Sequence, residues 1–190
     1  DGREVYQLDG EKKVSLEAIA VKGTCGNNTS LQASATASSK ISPPPFMAAA
    51  VEVEVDKETG SVEIIDYAAV VDCGTPINPN LARVQTEGGL AQGIGMALYE
   101  DIQYNAKGQM RNNSFMQYKI PTRQDVGKIR VEFAPSYEES HPFGAKSIGE
   151  IVINTPCPAI ANAVYNAVGV RIREMPITPE KVLMGIMGDH

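Results

Sequence analysis

The sequence predicts an α+β fold in which helices pack against a largely antiparallel, mixed sheet rich in hairpins. Three stretches carry that prediction. Val51-Glu52-Val53-Glu54-Val55 alternates apolar with charged residues, Lys57 to Gly60 supplies a turn, and the apolar pattern returns from Val62 to Val71, so a hairpin with one wet face is expected. Leu81 to about Glu100 follows Asn80, a good cap, and reads as a long helix. Pro156 to Val168 is apolar at helical spacing through Ile160, Val164, Ala167 and Val168, and Gly169 stops it.

The other elements follow in order. Asp1 to Gly10 is polar, with neither cap nor periodicity, as if the chain were entered partway through a longer one. Ser15 caps a short helix carrying Leu16, Ile19 and Ala20, which Gly23 ends. Thr29 to Lys40, rich in Ser, Thr and Ala, reads as a half-exposed strand. Pro43, Pro44 and Pro45 have fixed φ and no N–H, so they form a rigid extended connector, and a subdivision is expected near 41–46. Beyond the long helix, Asp101 to Tyr104, a turn at Asn105–Gly108 and a further arm closed by Tyr118–Thr122 suggest a second hairpin. Ile129 to Phe133 alternates as a strand, Val170–Ile172 reads as a short one, and Thr178-Pro179-Glu180 opens a last helix.

Composition narrows the function. Among 190 residues, 43% are hydrophobic and 21% charged, the balance of a soluble globular domain. A net charge of -6 with no Lys/Arg run argues against nucleic acid. No apolar run approaches the roughly 20 residues a bilayer requires, and no signal peptide opens the chain, which predicts a cytoplasmic protein without a membrane partner. Cys25, Cys73 and Cys157 are odd in number and form no C-x-x-C, so structural thiols are expected.

Two stretches hold the candidate chemistry. Phe143-Gly144-Ala145-Lys146-Ser147-Ile148-Gly149-Glu150 sets one carboxylate behind a glycine-flanked loop, where backbone can approach a bound group closely. In the long helix, Gln85, Gly88, Gly89, Gln92, Gly93 and Met96 share a stripe. Four glycines there (Gly88, Gly89, Gly93 and Gly95) each lower helix propensity by about 1 kcal/mol. Close helix packing or a surface for a flat cofactor would offset that loss, and the two can occupy different sides of the helix. A lone glutamate after glycine can equally be a dipole-stabilising residue. The glycines do not match G-x-G-x-x-G and follow no strand directly, which excludes a Rossmann dinucleotide site.

Beyond these local readings, Gly144 to Glu150 resembles the active-site segment of the xanthine dehydrogenase and aldehyde oxidase family of molybdenum hydroxylases. The likeness extends in order through Ser42–Phe46, Val51–Asp56 with Thr59-Gly60, Asp72-Cys73-Gly74 with Ile77–Pro79, Gln85–Gly89 with Gln92–Gly95, Tyr118–Pro121 and Pro158–Ala163. It implies that residues 1–190 are the C-terminal portion of a molybdopterin-binding domain, cut from or encoded apart from a longer chain. It also implies oxidation of a purine-like N-heterocycle or an aldehyde. Glu150 would act as general base on a hydroxyl carried by molybdenum. Gln85, Gly88 and the backbone of Ala145, Lys146, Ser147, Ile148 and Gly149 would lie against the cofactor. The cofactor would be molybdopterin, alone or as a dinucleotide, with the metal held by its dithiolene and by no protein side chain. Implied partners are the N-terminal half of the molybdenum domain, iron-sulfur and FAD domains or subunits, and an oligomeric assembly; alone, the chain should be inactive. Relatives often place proline where Ile151 stands. A non-catalytic assembly module retaining the fold, or an unrelated α+β binding domain, remains an alternative.

Overall fold

A computed structural model describes residues 4–6, 10, 13–26, 32 and 34–188. Its longest strands, β3 (Phe46–Val55) and β4 (Val62–Asp72), form the expected antiparallel hairpin. Asp56 shapes the turn by accepting from the Glu58 amide at 2.8 Å and the Thr59 hydroxyl at 2.9 Å. Gly60 completes it at φ +76°, where a Cβ would collide with the Pro179 carbonyl.

The chain divides into two compact units, Asp1–Ser38 and Ser39–His190. In the first, β1 (Glu4–Tyr6) pairs antiparallel with β2 (Lys13–Ser15), a pairing that the polar sequence did not announce. Ser15 caps α1 (Leu16–Val21) by accepting from the Ala18 amide at 3.1 Å. Gly23 does not end the helical path, which continues as a π-helical turn over Lys22–Gly26. The strand expected over Thr29–Lys40 falls partly outside the described residues; residues 34–40 form none.

In the second unit, α2 (Pro79–Leu98) follows β4, and β5 (Lys128–Phe133) returns parallel to β4. The sheet order is β3-β4-β5, so the mixed, mainly antiparallel character holds. A parallel neighbour needs a crossover, and α2 lies within it. α3 (Pro156–Val168) packs on β3 and on α2, and α4 (Pro179–Met187) completes the helices. Tyr67, Leu90, Ile94, Val131, Ile160, Val164 and Val182 are buried between these layers. Apolar burial at about 25 cal/mol per Å² is the main favourable term. The Tyr67 hydroxyl donates to Thr155 Oγ1 at 3.0 Å, and burial pushes its pKa up to about 12, so it stays a neutral donor.

The expected second hairpin and the expected short strand at Val170–Ile172 are absent from the described residues. Around 101–122 only Tyr104 and Met110 form a bridge, because Asn112 takes the place of a ladder: its Oδ1 accepts from the Gln103 amide and its Nδ2 donates to the Asp101 carbonyl. Val170–Ile172 pairs with no strand, though Val170 is buried and Arg171 lies 4.0 Å over the Tyr165 ring. Among the described residues, no helix is long and apolar enough to cross a membrane.

Candidate active site

α2 begins where Pro79 presets helical φ and Asn78 accepts from the Leu81 amide at 3.1 Å; the cap is Asn78, two residues earlier than Asn80. Its glycines then separate by side. A Cβ on Gly89 would collide with Val152, and one on Gly93 would stand 2.5 Å from Pro156 Cγ, so these two let α2 approach the 3₁₀ turn Ile151–Ile153 and α3. A Cβ on Gly88 would meet nothing. Gly89 and Gly93 therefore serve packing, while Gly88 borders open space.

The open side forms a cleft of about 560 Å³ lined by Val84, Gln85, Gly88, Gly89 and Gln92 from α2, and by Gly149, Glu150, Ile153 and Asn154 opposite. Gln85 Nε2 donates to the Gly149 carbonyl at 2.8 Å and ties the two walls. Glu150 is exposed into this space, and its carboxylate enters no ion pair or hydrogen bond among the described residues. Gly149 also leaves room, since a Cβ there would meet nothing. Ala145, Lys146, Ile148 and Gly149 line a second cleft of about 440 Å³ with Thr75, Ile77 and Leu81, and Gln85 and Gly149 border both clefts. Ser147, Phe143 and His141 line neither.

The loop before Glu150 is fastened at several points. Lys146 N donates to the Cys73 carbonyl at 2.7 Å, and Thr75 N donates to the Gly144 carbonyl at 2.8 Å. Gly74, at φ +66°, permits this approach, since a Cβ there would collide with the Gly144 carbonyl. Lys146 Nζ reaches Asp72 Oδ2 at 2.5 Å, and Ser136 Oγ donates to Asp72 Oδ1 at 2.5 Å. The Lys146 ammonium first, then the Ser136 hydroxyl, hold the Asp72 carboxyl below the usual carboxylate range. In contrast, the amides of Ser147, Ile148, Gly149 and Glu150 donate to no acceptor among the described residues. Burial raises the Cys73 and Cys157 thiols, as befits packing residues.

Sequence reasoning named Gln85, Gly88, Gly149 and Glu150, and the fold brings them into one cleft. It missed Val84, Ile153 and Asn154, although Val84 precedes Gly88 by one helical turn. The roles of Asp72 and Ser136 were missed too, because Asp72 meets Lys146 across 74 residues of chain and Ser136 across 64.

A glycine-relieved cleft edged by amides, with one carboxylate that has no partner among the described residues, defines a class of site: an open, polar-edged cleft beside an exposed carboxylate. The described residues also hold no group of three His, Cys, Asp or Glu side chains that could ligate a metal. Comparison with known proteins specifies the class. The family model of the molybdopterin cofactor-binding domain matches residues 1–127, and the chain belongs to that family. It is 38% identical over 178 residues to the probable hypoxanthine oxidase XdhD of Escherichia coli K12, covering 92% of this chain and 18% of that protein. It is 36% identical over 175 residues to the putative xanthine dehydrogenase molybdenum-binding subunit XdhA of the same organism, covering 90% of this chain and 23% of the relative. The aldehyde oxidoreductase of Desulfovibrio gigas superposes with a TM-score of 0.69 at 32% identity, over 75% of this chain and 15% of its own. The chain is thus a molybdenum-binding subunit region of the xanthine dehydrogenase and aldehyde oxidase type, and it spans about a fifth of these curated relatives.

Proposed function

We propose that this chain forms one wall of the molybdenum-cofactor site in a hydroxylase that oxidises an electron-poor carbon of an N-heterocycle or an aldehyde, with Glu150 as general base. The observation that carries the reading is the shared cleft: the unpaired Glu150 carboxylate opens onto the same space as Gln85 and Gly88. Relatives named as a hypoxanthine oxidase and an aldehyde oxidoreductase subunit support the two substrate classes.

The chain's own residues then have distinct tasks. The absence of side chains at Gly88 and Gly149 lets a planar group lie against α2 and the loop. The amides of Gln85 and Gln92 and the unengaged backbone N–H groups of Gly149 and Glu150 are donors for its polar edges. When bound, the molybdenum cofactor supplies the two-electron oxidation and acidifies the oxygen to be transferred. In this cleft a Glu150 Oε atom would be the proton acceptor, taking the proton given up by the group bound there and later returning it to solvent. A second polypeptide portion completes the cleft, excludes water and, through iron-sulfur or flavin partners, carries electrons away. A complex subunit among the relatives, the gamma subunit of the 6-hydroxypseudooxynicotine dehydrogenase complex of Paenarthrobacter nicotinovorans, is consistent with such an assembly.

Co-expression of the chain with a polypeptide carrying the remainder of a molybdenum subunit tests this. Elemental analysis is expected to return near one molybdenum per complex, and none for the chain alone. A well-folded complex without molybdenum overturns the reading.

A further inference from the structure

We propose that Lys146 is a positioning residue for Glu150, acting through Asp72 and not by touching the bound group. The inference rests on the reading of Glu150 above. Its basis is the placement of the Lys146 ammonium, whose side chain is only 9% exposed although Ser147, Gly149 and Glu150 of the same loop are exposed. It lies 2.5 Å from Asp72 Oδ2 and 5.3 Å from the centroid of the Phe46 ring.

Asp72 is the last residue of β4, the central strand, so the ion pair fastens the loop to the most buried element of the sheet. The same carboxylate accepts from Ser136 Oγ at 2.5 Å and from the Gly74 amide at 3.2 Å. One carboxylate therefore gathers three segments: the end of β4, the approach at Ser136 and the loop at Lys146. Beyond Lys146 the backbone changes character. Ser147 to Glu150 make no backbone hydrogen bond through their amides among the described residues, and the next fastened amide is Ile153, which donates to the Glu150 carbonyl at 3.2 Å. Between the Lys146 clasp and that turn, the one other hydrogen bond among the described residues is Gln85 Nε2 on the Gly149 carbonyl, beside the packing of Ile148 and Ile151 on Val71, Cys73 and Val152. Without the clasp, a four-residue run with free donors would carry Glu150 on a longer lever, and the carboxylate would spend less time where a proton transfer can occur. Lysine suits this task through its compact charge on a long apolar stem, with the Phe46 ring facing the ammonium at 5.3 Å.

Three variants test the proposal: Lys146→Met, Asp72→Asn and the pair together, with Lys146→Arg as the conservative rescue. The first readout needs no cofactor. Amide exchange of Thr75, Lys146 and Ile153, measured by NMR on the 190-residue chain, is expected to quicken about tenfold or more in each single variant, while Leu90 and Ile94 in the core keep their protection. The double variant should resemble the single ones, since both remove one shared interaction, and Lys146→Arg should recover most of the protection. In the molybdenum-loaded complex, each single variant is expected to lower kcat about tenfold or more with metal content and KM nearly unchanged, because misplacement by about 1 Å can cost up to 10²-fold. Unchanged exchange in Lys146→Met and Asp72→Asn overturns the proposal. So does loss of molybdenum or of activity in Lys146→Met with normal behaviour of Asp72→Asn, since that pattern would mean direct contact with the bound group. Failure of the catalytic reading itself would show differently, as an absence of molybdenum in the unsubstituted complex with the exchange results intact.

Discussion

Replacing Glu150 with glutamine is expected to lower turnover of the assembled enzyme by about 10²- to 10⁴-fold while metal content stays the same. The substitution keeps the side-chain volume and one carbonyl oxygen but removes the ability to accept a proton near neutral pH. Stability should hardly change, because Glu150 is exposed and its carboxylate has no partner among the described residues; surface substitutions of this kind fall within about 0.5 kcal/mol of neutral. Steady-state rates, elemental analysis and a denaturation curve on the same preparation check all three statements. Loss of molybdenum in Glu150→Gln would assign this carboxylate to cofactor retention, and an unimpaired rate would remove it from catalysis.

A second large effect separates two adjacent glycines. Gly88→Ala should stabilise the chain by up to about 1 kcal/mol, since alanine is the better helix former and its methyl meets nothing. Gly89→Ala should destabilise it by about 1–3 kcal/mol, because the methyl would collide with Val152 and force α2 away from the turn that follows Glu150. Urea denaturation of the two variants measures the opposite signs directly. In the complex, Gly88→Ala should also reduce molybdenum content, since its methyl stands in the cleft; stabilisation with full metal loading would mean that the bound group does not lie against this part of α2.

The opposite behaviour of Gly88 and Gly89 illustrates what the sequence could and could not convey. Their shared stripe was legible, as was the need for something to offset four glycines in one helix. Which glycine faced a neighbour and which faced open space depended on the turn Ile151–Ile153, a short 3₁₀ element without periodicity to reveal it. The β3–β4 hairpin and α3 were legible because alternation, a glycine turn and an apolar helical face all agree there. The parallel return of β5 was not, since strand direction follows from where the chain travels between strands and not from the strand's own residues. The supposed second hairpin failed for a local reason, Asn112 supplying from its side chain the bonds that a ladder would have made. At the site, residues that belonged to a glycine-marked pattern were found, and those without one, such as Val84, Ile153 and Asn154, were missed even beside them. Lys146 could be read as part of the glycine loop, whereas its fastening to Asp72 is a property of the folded chain alone.

Locating the metal tests the central claim most directly. Anomalous diffraction at the molybdenum edge from crystals of the assembled complex should place the peak in the cleft between α2 and the loop at Gly149, beside Gly88. A Glu150 oxygen should lie one hydrogen bond, about 2.6–3.2 Å, from a ligand of the metal. A peak elsewhere, with Glu150 turned toward solvent or toward protein, would contradict the account.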